Sequence, residues 1–127
     1  MERYARSVEV RRLDSVVSDD HLSRLKLVKI DVEGHEMEVM RGLEPLLLRG
    51  SRPSIVVELT HAWSGDDGSS YIAEFCARHR FKAYRLSRDR LFGGRGVTQF
   101  MPTEIGLSNG PQEELLLAPE EAPVTDR

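Results

Sequence analysis

The chain has one cysteine in 127 residues, Cys76, so an internal disulfide is excluded and a reducing, cytoplasmic setting is expected. Cys76 lies between Phe75 and Ala77 in a helical pattern and reads as a small buried hydrophobe. A reactive thiol needs a base and an electropositive pocket, and the sequence shows neither. No apolar run approaches the ~20 residues that span a bilayer, so no membrane association is expected. The polar start Met1-Glu2-Arg3-Tyr4 has no apolar stretch behind it, which argues against a signal peptide. Neither sign of charge dominates: 18 Lys and Arg stand against 21 Asp and Glu, a net charge of −3. Arginines are mixed with acids rather than gathered in a block, and no nucleic-acid partner is expected.

Several chemical motifs are also missing. His35-Glu36 begins like H-E-x-x-H, but Val39 stands where the second zinc ligand would be. Asp31-x-Glu33-Gly34 lacks the third acid and the terminal glutamate of a calcium loop. There is no G-x-S-x-G elbow and no P-loop. Gly93-Gly94-Arg95-Gly96 has no helix after it and reads as a flexible connection. Asp31, Glu33 and Glu58 can share a hard divalent ion only if their strands are neighbours, and no metal site is assigned.

Length bounds the chain to one domain with a modest core. Val8 and Val10 alternate with charged residues, the period of a half-buried strand. Asp14 fits the N-cap of a short helix, Ser18-Asp19-Asp20 a polar loop, and His21 to Lys26 a further turn. Leu27 to Val32 is a near-continuous apolar run, which suits a central parallel strand covered on both faces. A helix starts near His35, with Met37, Met40 and Val39 on its apolar face, and Gly42 closes it. Pro45 then opens a second short helix that stops at Gly50. Ser54 to Leu59 is another buried strand, and the pair forms a β–α–β unit.

Thr60 to Ser70 reads as a loop, with His61 and Trp63 in it, at an end of the sheet where function concentrates. Ser69 or Ser70 caps a helix with Ile72, Phe75, Cys76 and His79 at helical spacing. His79, between two arginines at the helix end, reads as a surface residue complementing the dipole. Phe81 to Leu86 and Glu113 to Ala118 are the remaining strands, with a turn at Asn109-Gly110-Pro111. Residues 1–119 form the domain, and 120–127 read as a disordered acidic tail.

The stretch Leu27 to Glu36 organises the rest. An apolar strand runs into two carboxylates and a glycine, and a helix follows at once. In open α/β sheets, ligands bind at the carboxyl ends of strands. Asp31 and Glu33 either do chemistry there or cap the next helix, since acids favour helix N-termini. Position alone does not separate those readings.

Ile30-Asp31-Val32-Glu33-Gly34-His35-Glu36 resembles the IDVEG-x-E signature of the FkbM-type family of S-adenosylmethionine-dependent methyltransferases. Val8-Glu9-Val10 with Leu13-Asp14 resembles its lead-in, and Arg52-Pro53 through Glu58 its "RP…E" strand. Leu115-Leu116-Leu117-Ala118-Pro119 is similar to its closing strand. The resemblance implies a partial Rossmann-like fold of the class I methyltransferase type: α/β, a mostly parallel sheet with flanking helices. It also implies S-adenosylmethionine as cofactor and methyl transfer to oxygen on a sugar or secondary metabolite. Family members carry a glycine-rich turn of G-x-G type before this region, and only Met1 to Ser7 precede Val8. The chain therefore reads as a truncated, carboxyl-terminal half without its amino-terminal strands, and its cofactor-binding residues are unknown.

On this resemblance Asp31 and Glu33 are the candidate catalytic pair, as proton acceptor or acceptor-binding groups for a small hydroxylated molecule. Glu58 and His61, on the neighbouring strand, are candidate substrate-binding residues. Gly34 permits close backbone approach, and Glu36 can cap the helix. The alternative is a catalytically inactive fragment, or an α/β module that binds a partner. Without a neighbour on its other side, the strand 27–32 leaves an apolar edge open to association.

Overall fold

The computed structural model describes residues 5–88, 95–104 and 112–121. In chain order the elements are α1 (Leu13–Val16), α2 (Asp19–Ser23), β1 (Leu27–Ile30), α3 (Glu36–Leu48), β2 (Ser54–Thr60) and α4 (His61–His79). There follow β3 (Phe81–Arg88), β4 (Arg95–Phe100), a 3-10 turn (Pro102–Glu104) and β5 (Gln112–Pro119). The five strands form one sheet in the order β1-β2-β5-β3-β4.

The β–α–β unit is present: β1 and β2 pair in parallel, Leu27 opposite Ser54 and Ile30 opposite Val57, with α3 between them. Beyond that pair the expectation of a mostly parallel, Rossmann-like sheet is not met. The β2–β5, β5–β3 and β3–β4 pairs are all antiparallel. The reason is topological. β5 returns from the far end of the chain and inserts between β2 and β3. Two antiparallel steps leave β1, β2 and β3 pointing the same way, although β2 and β3 never touch as neighbours. Their carboxyl ends share one edge of the sheet.

Along β2 and β5 the buried residues alternate and face each other, Ile55 against Leu117 and Val57 against Leu115. That face meets Met40, Leu43, Leu46 and Leu47 of α3 and Ile72, Phe75 and Cys76 of α4 in one core cluster. Right-handed crossovers that advance in one direction put both helices on the same face.

Several local expectations are corrected. Residues 5–12 belong to no strand, and Val8 and Val10 are 77% and 90% exposed. Alternation alone does not make a strand where no ladder partner is present. Asp14 does not cap α1, whose N-cap is Arg12. It lies in the first turn and pairs with the Arg12 guanidinium at 2.8 Å, which holds its carboxyl below the usual range. Ser18 caps α2 instead, accepting from the His21 amide, so Asp19 and Asp20 are helical rather than loop. β1 ends at Ile30 and is an edge strand, with Leu27 58% exposed. A continuous apolar run cannot distinguish an edge from a centre.

α3 runs through Gly42 and Pro45 as one helix, and Val39 is on its exposed side. Proline inside a helix costs about 3 kcal/mol. Burying Leu43, Leu46 and Leu47 on one face offsets it, at about 1.5–3 kcal/mol each. Gly50, at φ 95°, ends the segment as expected, its amide bonding to the Leu47 carbonyl.

α4 begins at His61, directly after β2, so the expected Thr60–Ser70 loop is helical from His61 on, and its N-cap is Thr60 rather than Ser69 or Ser70. Once the buried turns around Ile72 and Phe75 exist, adding turns to them is cheap. Arg52 receives the other end: its guanidinium donates to the carbonyls of His79 and Arg80 and lies 5.0 Å over the Phe81 ring. Arg95-Gly96, read as part of a flexible connection, begin β4, an element the sequence reading missed. Gly93, Gly94, Asn109-Gly110-Pro111 and the tail from 122 onward lie outside the described residues.

Cys76 is buried, and burial pushes its thiol up to about 12. His79 is also buried, at 7% exposure, rather than on the surface. Its ring sits 4.8 Å from Phe75, and its Nε2 is 3.8 Å from Glu44, whose carboxylate accepts from Tyr71 and Arg78. Burial lowers the His79 pKa despite Glu44. The neutral ring is the folded form, so the folded state binds fewer protons than the unfolded state below pH ~6.5. Stability is therefore full above that pH and falls below it. Thermal melts between pH 7.5 and 5.5 should show the midpoint dropping in the wild type, with a smaller drop in His79→Leu.

Candidate active site at the carboxyl edge of the sheet

The edge shared by β1 and β2 gathers the carboxylates picked out in the sequence. Asp31 is the residue after Ile30, the last paired position of β1, and Glu58 follows Val57, its partner in β2. Asp31 thus leaves β1 at the level of Glu58, which lies two residues before the end of β2. Glu58 is in turn opposite Glu114 of β5. It alternates with the core residues Val57 and Leu59, which puts it on the sheet face away from the core, half-buried. Like charges placed opposite each other on a sheet cost stability. This rim carries that cost.

Asp31 is about half exposed and, among the described residues, has one cation near it, Lys29 at 3.5 Å. An ion pair so exposed contributes little, so the Asp31 carboxylate remains available to a ligand. Glu33 stands in a left-handed conformation, φ 48°, and Gly34 follows at φ 105°. Two successive positive values turn the chain sharply from strand to helix. Glycine takes such values freely, whereas glutamate does not. Glu36, the first residue of α3, reaches back across this turn and accepts from the Gly34 amide at 3.0 Å. It is 1% exposed.

His61 opens α4, three positions after Glu58, at the same edge; its side chain is outside the described part. All four candidates are therefore at one end of the sheet. Among the described residues no group of three His, Cys, Asp or Glu is placed to hold a metal ion.

Sequence reasoning missed the pair formed by half-buried Arg85 and buried Glu113. Arg85 donates from Nε to Glu113 at 2.9 Å, also reaches the Glu104 carbonyl, and lies 4.4 Å over the Phe100 ring. It ties the 3-10 turn to the sheet near the same edge, since Glu113 is opposite Leu59. The signal was present: Glu113 is in phase with Leu115 and Leu117, so alternation puts it on the core face.

Residues 2–86 match the methyltransferase FkbM domain family, more than half of the chain. The chain belongs to that family. The match contains the parallel β1–α3–β2 unit and stops inside β3, so β4 and β5, including the similarity noted at Leu115–Pro119, lie beyond it. The chain is also 33% identical over 92 residues to AMB antimetabolite synthetase AmbE of Pseudomonas aeruginosa strain PAO1. That alignment covers 71% of this chain and 4% of AmbE. No solved structure matches the chain.

The family is generally S-adenosylmethionine-dependent. The described rim does not fit the adenosine and methionine portions of such a cofactor. Its side chains are carboxylates, the Gly34 amide is already taken by Glu36, and no glycine-rich strand-to-helix turn of G-x-G type is found among the described residues. What the rim offers is a set of acceptors for hydroxyl protons.

The left-handed Glu33 gives a direct measurement. Glu33→Gly should stabilise the fold by up to about 1 kcal/mol, the cost of a non-glycine residue in that region less the added chain entropy. Urea denaturation should show a higher midpoint with an unchanged slope. A lower midpoint would mean that the Glu33 side chain makes contacts worth more than the strain.

Proposed function

We propose that this chain is the acceptor side of an S-adenosylmethionine-dependent O-methyltransferase acting on a small hydroxylated molecule, a sugar or a secondary metabolite. The supporting observation is the placement of Asp31, in the family signature, at the level of Glu58 on the shared carboxyl edge of β1 and β2. The rim's part is to bind the acceptor and take its proton: the Asp31 carboxylate accepts the hydroxyl proton as that oxygen becomes a nucleophile. Glu33, Glu58 and His61 accept hydrogen bonds from other hydroxyls and fix the orientation, from which much of the rate derives. A cytoplasmic location accords with the buried, unreactive Cys76.

Calorimetry with S-adenosylmethionine and radiolabel transfer to a panel of hydroxylated sugars test this on the full chain. Asp31→Asn should lower kcat by about 10²- to 10⁴-fold, the usual contribution of a general base, with little change in KM. A raised KM at unchanged kcat would make Asp31 a binding residue. Absence of both binding and transfer in a folded sample would end the reading of this chain as active alone.

A second reading is favoured by one observation: β1 is an edge strand, and Val8, Val10, Val16, Leu27 and Val32 are exposed. On this reading the chain is a module that associates through the edge of strand 27–32. An apolar groove of about 770 Å³ runs alongside, bounded by Val10, Leu13, Val28, Val39 and Leu43. Sedimentation velocity should then show concentration-dependent association that Leu27→Glu weakens. A monomer at every concentration would count against self-association.

A further inference from the structure

The buried carboxylate of Glu36 is not explained by helix capping. A capping carboxylate bonds the free amides of the first helical turn. Glu36 instead bonds the Gly34 amide, which lies before the helix, and the bond spans the turn in which Glu33 and Gly34 are left-handed. Exposure of 1% makes this carboxylate expensive to bury, and its Oε2 has no hydrogen-bond partner among the described residues. A cost of that kind, next to a non-glycine residue held at φ 48°, marks a geometry that the surrounding structure enforces.

We propose that Glu36 is a positioning residue: through the Gly34 amide it locks the left-handed Glu33–Gly34 turn and so fixes the Glu33 carboxylate relative to Asp31. This rests on the reading of Asp31 and Glu33 as the acceptor-binding pair and deepens it. The chain leaves β1 at Ile30, and the left-handed angles at Glu33 and Gly34 form the sharp turn that Glu33 occupies before α3 begins. If the turn relaxes to ordinary backbone angles, Glu33 swings away while Asp31, attached to the end of the strand, stays. Removing Glu36 therefore separates the two carboxylates without touching either.

The test uses the full ¹⁵N-labelled chain with Glu36→Gln and Glu36→Leu. Glutamine keeps an acceptor oxygen; leucine has none. The Gly34 amide should exchange with solvent at least tenfold faster in the leucine variant than in the wild type. It should stay protected in the glutamine variant, while the Val57 and Leu115 amides are unchanged in both. In Glu36→Gln the Gly34 amide proton resonance should also move upfield of its wild-type position, because a neutral amide oxygen is a weaker acceptor than a carboxylate. The second reading needs only the wild type and the isosteric variant, so it survives a leucine variant that does not fold. Methyl transfer should be lost in Glu36→Leu and recovered in Glu36→Gln. A Gly34 amide equally protected in all three chains, or one whose resonance is unmoved in Glu36→Gln, would overturn the positioning role. Asp31→Asn with transfer intact would overturn the catalytic reading and leave the Gly34 measurements standing, so the two failures are separable.

Discussion

β2 is paired on both sides, in parallel with β1 and antiparallel with β5. Its residues Ile55, Val57 and Leu59 are fully buried. The parallel ladder, which ends at Ile30 and Val57, sets the level at which Asp31 leaves β1, because a slip of one residue would reverse every side chain of β1 between core and open face. The antiparallel ladder brings β3 into the sheet, since β3 reaches β2 only through β5. Helices α3 and α4 rest on the face that this pairing buries. The candidate rim, the core and the sheet edge all take their positions from one seven-residue strand.

Local signals in the sequence suffice where a pattern of burial is self-contained. The strands around Ile55 and Leu115, the Gly50 stop, the buried Cys76 and the Ile72–Phe75–Cys76 helix face all came from period and composition. Failures arose where a distant part of the chain decided the outcome. Nothing local to Phe81–Leu86 shows that a later strand will enter between it and Ser54–Leu59. Pro45 and Gly42 argue for a break in α3, and only the layer of sheet beneath Leu43, Leu46 and Leu47 overrides them. His79 reads as exposed from its arginine neighbours, yet the Phe75 ring and Glu44 enclose it.

The site was legible as a place more than as a geometry. An apolar run ending in Asp31, Glu33 and Gly34 predicts a sheet edge with acids on it, and that edge exists. The left-handed Glu33 and the backward reach of Glu36 depend on backbone angles that no residue pattern encodes except Gly34 itself. The family match agrees with this division, since it covers the parallel unit that bears the signature and stops before the strands that close the sheet.

Arg52 stands just before β2, yet it holds the last carbonyls of α4, 27 and 28 residues further along. The strand and the helix that follows it are thereby joined into a ring closed by one guanidinium, with Phe81 of β3 beneath it. Such a ring makes the end of α4 part of the same cooperative unit as the sheet. The helix is thereby anchored to the sheet at the end far from the carboxylate rim.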